Sequence, residues 1–124
     1  MVKIWLVALL LSAPRLCRAQ GNETVVVFLH ASSLSGVVVD PMDGPFPQIA
    51  VYRIECGKAE FNGVANPSIL QQVQTDAKGN FAFPWTDHKR TCLQVQTPGM
   101  DRLQAEVKYA RNRGKLKLIL QVGK

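Results

Sequence analysis

From Arg102 to Ala110 the chain reads RLQAEVKYA, with Leu103, Ala105, Val107 and Tyr109 on one parity and Arg102, Gln104, Glu106 and Lys108 on the other. That period of two belongs to a strand, because successive Cβ atoms of an extended chain point to opposite faces; a helix would scatter the same apolar residues around its axis. Segments of the same kind recur through the chain: TVVVFLH (24–30), SGVVVD (35–40), IAVYRIE (49–55), ILQQVQT (69–75), NFAFPW (80–85), TCLQVQT (91–97) and KLKLILQV (115–122). Eight strands are therefore predicted, many of them rich in β-branched residues and bounded by turn residues, the pattern of an all-β sandwich or barrel. No stretch sustains a helical period. GKAEFNGVANPS (57–68) reads as a looser connection, and 124 residues suffice for one domain with one core.

The connections carry their own chemistry. Pro41-Met42-Asp43-Gly44-Pro45 forces a turn, with Pro setting φ and Gly44 free to take a positive value. Asn112-Arg113-Gly114 turns the chain between the last two strands, which are expected to form a C-terminal hairpin. In TDAKGNFAF (75–83), Asp76 can accept a bond from the backbone two residues on, and Gly79 supplies the left-handed conformation that returns the chain. Phe81 and Phe83 then face one way.

The first residues are of another kind. MVK is a short basic start, IWLVALLLSA an apolar run, and Cys17-Arg18-Ala19 ends it with small residues one and three before a cut, so residues 1–19 read as a secretory signal peptide. About ten apolar residues fall well short of the roughly 20 a spanning helix requires, and no later segment comes closer. The expected mature chain is secreted or periplasmic, with no integral membrane segment; an uncleaved N-terminal anchor is the rival reading. Lipidation at Cys17 fits poorly, since Leu16 rather than a small residue precedes it.

Taking Lys3, Arg15 and Arg18 out of fifteen basic residues leaves twelve against nine acidic ones, so the net charge falls from +6 to +3. Much of the apparent basicity thus belongs to targeting. The one basic cluster, Lys108, Arg111, Arg113, Lys115 and Lys117, surrounds the last turn and reads as a solvated face, with an anionic glycan, headgroup or acidic partner as the alternative. In a chain expected to be exported, where nucleic acid is seldom met, this single cluster does not suggest nucleic-acid binding. Two cysteines remain, Cys56 and Cys92, in a chain bound for an oxidising compartment, and a disulfide is expected. In the chain-entropy model it contributes roughly 3–4 kcal/mol. Asn22-Glu23-Thr24 is a glycosylation sequon that matters only in a host that modifies exported proteins.

Three of these motifs, in order, resemble the carboxypeptidase regulatory-like domains: SGVVVDPMDGPFPQIAV (35–51) as opening strand and Pro-rich turn, TDAKGNFAF as the central turn, and TCLQVQTPGM (91–100) as a later strand leading to glycine. The resemblance covers residues 34–122. It departs from the family at Gln48-Ile49, Thr91 and Met100. It implies a transthyretin-like (prealbumin-like) β-sandwich of about seven to eight antiparallel strands with Greek-key connections, in a bacterial, exported, single-domain form. The expected organisation is a signal peptide (1–19), an N-terminal strand or arm (20–33) and the sandwich domain (34–124). In such a sandwich the strands bearing Cys56 and Cys92 are neighbours, and both cysteines fall on the outward parity.

The transthyretin-like fold also hosts enzymes, so each site type has to be sought. Tyr52, Tyr109, His30 and His88 are the residue types of an intradiol-type iron site, but no spacing gathers them. The chain ends LQVGK where a hydroxyisourate-type hydrolase has Tyr-Arg-Gly-Ser. No nucleophile elbow, phosphate-cradling glycine run or spaced carboxylate pair is present. One His with one Asp does not make a closed metal site. No catalytic residue, metal or cofactor is expected, and the resemblance implies an accessory module that binds protein, peptide or glycan. The candidate contacts are Trp85, Asp87, His88 and Arg90 in PWTDHKR, with Trp85 equally readable as a core residue. Converging His88, Asp87 and Arg90 would point to an enzyme; a flat aromatic surface would point to binding.

Overall fold

The computed structural model describes residues 23–56 and 68–123. The expected signal peptide, Cys17, Asn22 of the sequon and most of the looser segment lie outside these residues. Each alternating segment forms a strand: β1 (Thr24–Ala31), β2 (Leu34–Val39), β3 (Ala50–Ile54), β4 (Ile69–Gln74), β5 (Asn80–Phe83), β6 (Thr91–Val95), β7 (Arg102–Tyr109) and β8 (Leu116–Ile119). They make a five-stranded sheet, β1-β7-β6-β3-β4, and a three-stranded sheet, β5-β2-β8. The described residues contain no helix.

The sheets pack as a sandwich because each strand has one apolar face. Val51, Leu93, Val95, Leu103, Ala105 and Val107 of the larger sheet meet Leu34, Val38, Phe81, Phe83, Leu116, Leu118 and Leu120 of the smaller side in one buried cluster. Each large aliphatic side chain there is worth roughly 1.5–3 kcal/mol in area removed from water.

Two expectations about strand pairing are corrected. The sheets are mixed rather than antiparallel, since β1 runs parallel to β7 and β2 parallel to β8. Alternation specifies which face a strand buries and is silent about direction, so a strand arriving from far along the chain can pair either way. Nor do β7 and β8 form a hairpin: they belong to different sheets. The connection between them is an arch, with Asn112 and Gly114 both at positive φ and Gly114 tied to Ser32 through Ser32 N–H to Gly114 O (3.1 Å). An arch sets Leu116, Leu118 and Leu120 across the core from Leu103, Ala105 and Val107, where a hairpin would set them alongside.

TDAKGNFAF is likewise a strand, a turn and a strand, but the turn carries the chain from one sheet to the other. Asp76 Oδ1 accepts from Lys78 N–H and Asn80 N–H, both at 2.9 Å, and Gly79 has φ 82°. The preceding residue, Thr75, is buried; its hydroxyl donates to Phe46 O (2.6 Å) and accepts from Ile49 N–H (3.0 Å), tying the turn to the segment before β3. In the Pro-rich turn the left-handed residue is Asp43 (φ 67°), and Gly44 is not among the positive-φ residues.

Cys56 and Cys92 are joined, with Cα atoms 5.2 Å apart. β3 and β6 are antiparallel neighbours, but the ladder partner of Cys92 is Ile54, and Cys56 lies two residues beyond it in a turn. The bond therefore closes over the outer face of the larger sheet. Ile54 and Cys92 are buried there with Tyr52 and Cys56 against them, a small second cluster separate from the main core.

Candidate functional site

Pro84 ends β5, and the chain from there to Thr91 crosses from the smaller sheet to the larger at one end of the sandwich. A short loop left to itself would be poorly ordered; two local hydrogen bonds hold this one. Trp85 turns inward, only 8% exposed, and its indole N–H donates to Lys89 O at 2.9 Å. Asp87 Oδ1 accepts from Lys89 N–H at 3.0 Å, an Asx turn. His88 takes the left-handed conformation, φ 55°, which lifts its ring out of the loop.

That ring lands on Tyr109, at the end of β7. The two planes are stacked, 4.1 Å between centroids and 13° apart. Trp85 meets both edge-on at 5.8 Å, at 85° to His88 and 72° to Tyr109. These are the offset and T-shaped geometries that ring quadrupoles favour. Trp85 is thus the buried foot of the cluster, and the exposed His88 and the 39%-exposed Tyr109 form its outward part.

Of the four candidate contacts, the structure brings Trp85 and His88 together and sends the other two elsewhere. Arg90 pairs with Glu106 (Nη1 to Oε2, 3.2 Å), an ion pair whose arginine is exposed and whose glutamate is half-buried, of modest energetic worth. Asp87, Lys89 and Arg90 line a shallow groove of about 330 Å³ that runs toward the disulfide, with Arg53, Cys56 and Leu70 on its other side. His88 is not among the groove's lining residues. A larger open groove, about 600 Å³, runs past the Asp76 turn, lined by Ser35, Gln74, Asn80 and Lys115 among others; of its lining residues only the buried Phe81 is aromatic.

Two site residues are not legible as binding contacts in the sequence, where Tyr109 is weighed only as an iron-ligand type. Tyr109 is the last member of the Leu103-Ala105-Val107 alternation, and its excess over the core length of the strand was the available signal. Arg53 shares the face of Val51 at the end of β3; its guanidinium donates to Thr91 Oγ1 (2.9 Å), Gln71 Oε1 (2.9 Å) and Pro84 O (3.3 Å). It fastens the start of the loop to β3, β4 and β6. Nothing in the local sequence marks it.

The arrangement offers a rigid aromatic ledge beside a polar groove. Among the described residues no three His, Cys, Asp or Glu side chains gather as a metal set. Thr91, in the groove, has its hydroxyl engaged by Arg53. Comparison of the chain with protein-family models, curated proteins and solved structures gives no match.

Proposed function

We propose that the protein is a non-enzymatic, exported β-sandwich module of the carboxypeptidase regulatory-like, transthyretin-like kind, binding a protein, peptide or carbohydrate at the cell envelope through the His88–Tyr109 ledge. The observation that carries this reading is the ring stack itself: two partly exposed aromatic side chains held by a buried tryptophan at the end of a sandwich. Rings already fixed in place supply contact area with little further loss of conformational freedom on binding. Arg90, Glu106 and the groove beyond add the polar groups that would orient a ligand. The disulfide supports export, since such bonds persist in oxidising compartments, and among the described residues no helix is long and apolar enough to cross a membrane.

Glycan and peptide arrays probed with the exported protein test the proposal. Tyr109→Ala and His88→Ala should each weaken the recovered interaction at least about tenfold, roughly 1.4 kcal/mol, while the sheet-face variant Gln94→Ala leaves it unchanged. Turnover of ester, peptide or glycoside substrates that disappears with His88→Ala would make the same loop catalytic and overturn the reading. Intact mass of exported material should place the mature start at Gln20.

A further inference from the structure

We infer that the protein forms a two-fold dimer in which β1 pairs antiparallel with β1 of a second copy. β1 is the edge of the five-stranded sheet, and among the described residues no strand pairs with its free side. Its ladder to β7 is bracketed by Arg102 N–H to Glu23 O (3.0 Å) and Ala110 N–H to Ala31 O (2.9 Å). Parallel ladders use alternate residues of each strand, so the odd-numbered residues of β1 face β7. Thr24, Val26, Phe28 and His30 therefore aim their N–H and C=O groups at the open edge.

The other edges are blunted in the ways that keep edges unpaired. β5 is only four residues long, β4 carries three glutamines and a register shift against β3, and on β8 Lys117 is ion-paired with Asp43 at 2.7 Å. β1, TVVVFLHA, has no Lys, Arg, Asp, Glu, Pro or Gly and no irregularity in its register. Its outer face leaves Phe28 70% and Val26 47% exposed. Beside it, a mainly apolar cleft of about 250 Å³ opens between the sheets, lined by Val25, Val27, Leu29, Leu118 and Ile119, with Lys117 and Gln121 also on its wall.

What identifies the occupant as a second copy is that the strand matches itself. Around a two-fold axis at Val27, Val26 meets Phe28 and Val25 meets Leu29, apolar against apolar, and the polar Thr24 meets the polar His30 at the ends. The edge-facing residues then fall on the hydrogen-bonded pairs and Val27 on a non-hydrogen-bonded pair, as an antiparallel ladder requires. Moving the axis to Val26 or Phe28 would set Thr24 against Phe28 or His30 against Val26. Such an interface is isologous and closes at two copies. The inner side chains of each β1 would also reach the apolar cleft of the other.

Sedimentation analysis of the purified protein over a range of concentrations should show a monomer–dimer equilibrium. Phe28→Lys or Phe28→Glu alone should raise the dimer dissociation constant at least about tenfold, through loss of the two Phe28–Val26 cross-strand contacts that flank the axis, with far-ultraviolet circular dichroism unchanged because Phe28 is exposed. Val26→Lys combined with Phe28→Glu in the same chain should restore the dimer, since each lysine then meets a glutamate of the other copy. A wild-type chain that is monomeric throughout overturns the inference, as does a dimer indifferent to Phe28→Lys or a double variant that stays monomeric.

Discussion

The turns at Asp40 and Asp76 are built from the same hydrogen bonds but put different residues in the same strained position. In each, the aspartate Oδ1 accepts from the backbone N–H two and four residues on: Met42 and Gly44 in the first, Lys78 and Asn80 in the second. The N–H three residues on returns to the aspartate carbonyl in both, Asp43 to Asp40 and Gly79 to Asp76. The residue making that bond is left-handed, with φ 67° at Asp43 and 82° at Gly79. The difference lies in the surroundings. Asp43 is exposed and reaches Lys117, whereas Gly79 is buried and a Cβ placed on it would lie 2.8 Å from Val38 O and 3.1 Å from the ring of Pro45. Local backbone chemistry permits Asp or Gly at this position; packing then selects Gly at one turn and leaves the other open.

Breaking the tighter turn should have the largest effect. Gly79→Val combines a left-handed β-branched residue with a clash against backbone, and should cost roughly 3 kcal/mol or more in chemical denaturation. Grafting the residue of the other turn separates the two causes. Aspartate tolerates the left-handed region better than valine, so Gly79→Asp should cost less, about 1–2 kcal/mol, mostly from the close contacts with Val38 O and Pro45. If Gly79→Asp proves neutral, the close approach is not what selects glycine.

Acid sharpens the comparison next. The Asn80 and Lys78 N–H bonds hold the Asp76 carboxyl below the usual aspartate range. A native pKa lowered in this way contributes stability that is fully present above the unfolded value of about 3.9 and is lost as pH falls through the lowered native value. Melting points of the wild type should therefore drop from about pH 4 downward more steeply than those of Asp76→Asn, which keeps an acceptor oxygen but no titrating group. Parallel curves would remove the charge from the account. The smallest effect belongs to Asp43→Gly: relief of the left-handed conformation offsets loss of the exposed Lys117 pair and greater freedom in the unfolded chain, leaving stability within about 0.5 kcal/mol of wild type.

The same division runs through the whole fold. Positions of strands and the glycine of the Asp76 turn were legible because alternation and turn chemistry are local properties. In the Pro-rich turn Gly44 is free to take the left-handed position but Asp43 holds it, since two permissive neighbours cannot be ranked without the hydrogen bonds that span them. At the site, Trp85 and His88 could be named from an aromatic and a histidine sharing a loop. Tyr109 and Arg53 could not, since each joins the loop across sheets or strands far away in sequence. Thr75 stood in plain view at the head of TDAKGNFAF, but its hydroxyl acts on Phe46 and Ile49, and nothing in the spacing shows that.

The amino-acid order by itself determined an all-β chain, where the eight strands lie to within three residues at either end, which face each strand buries, and that Cys56 and Cys92 fall on the outward parity. These follow from the geometry of an extended backbone and from a few residues' tolerance of unusual φ. The tertiary structure decided which sheet each strand joins, that β1 and β8 enter parallel to β7 and β2, that the last turn is an arch, and that His88 comes to rest on Tyr109. Those outcomes depend on partners dozens of residues away, where burial rewards any arrangement that covers the apolar faces and only the packing of all the strands together selects one.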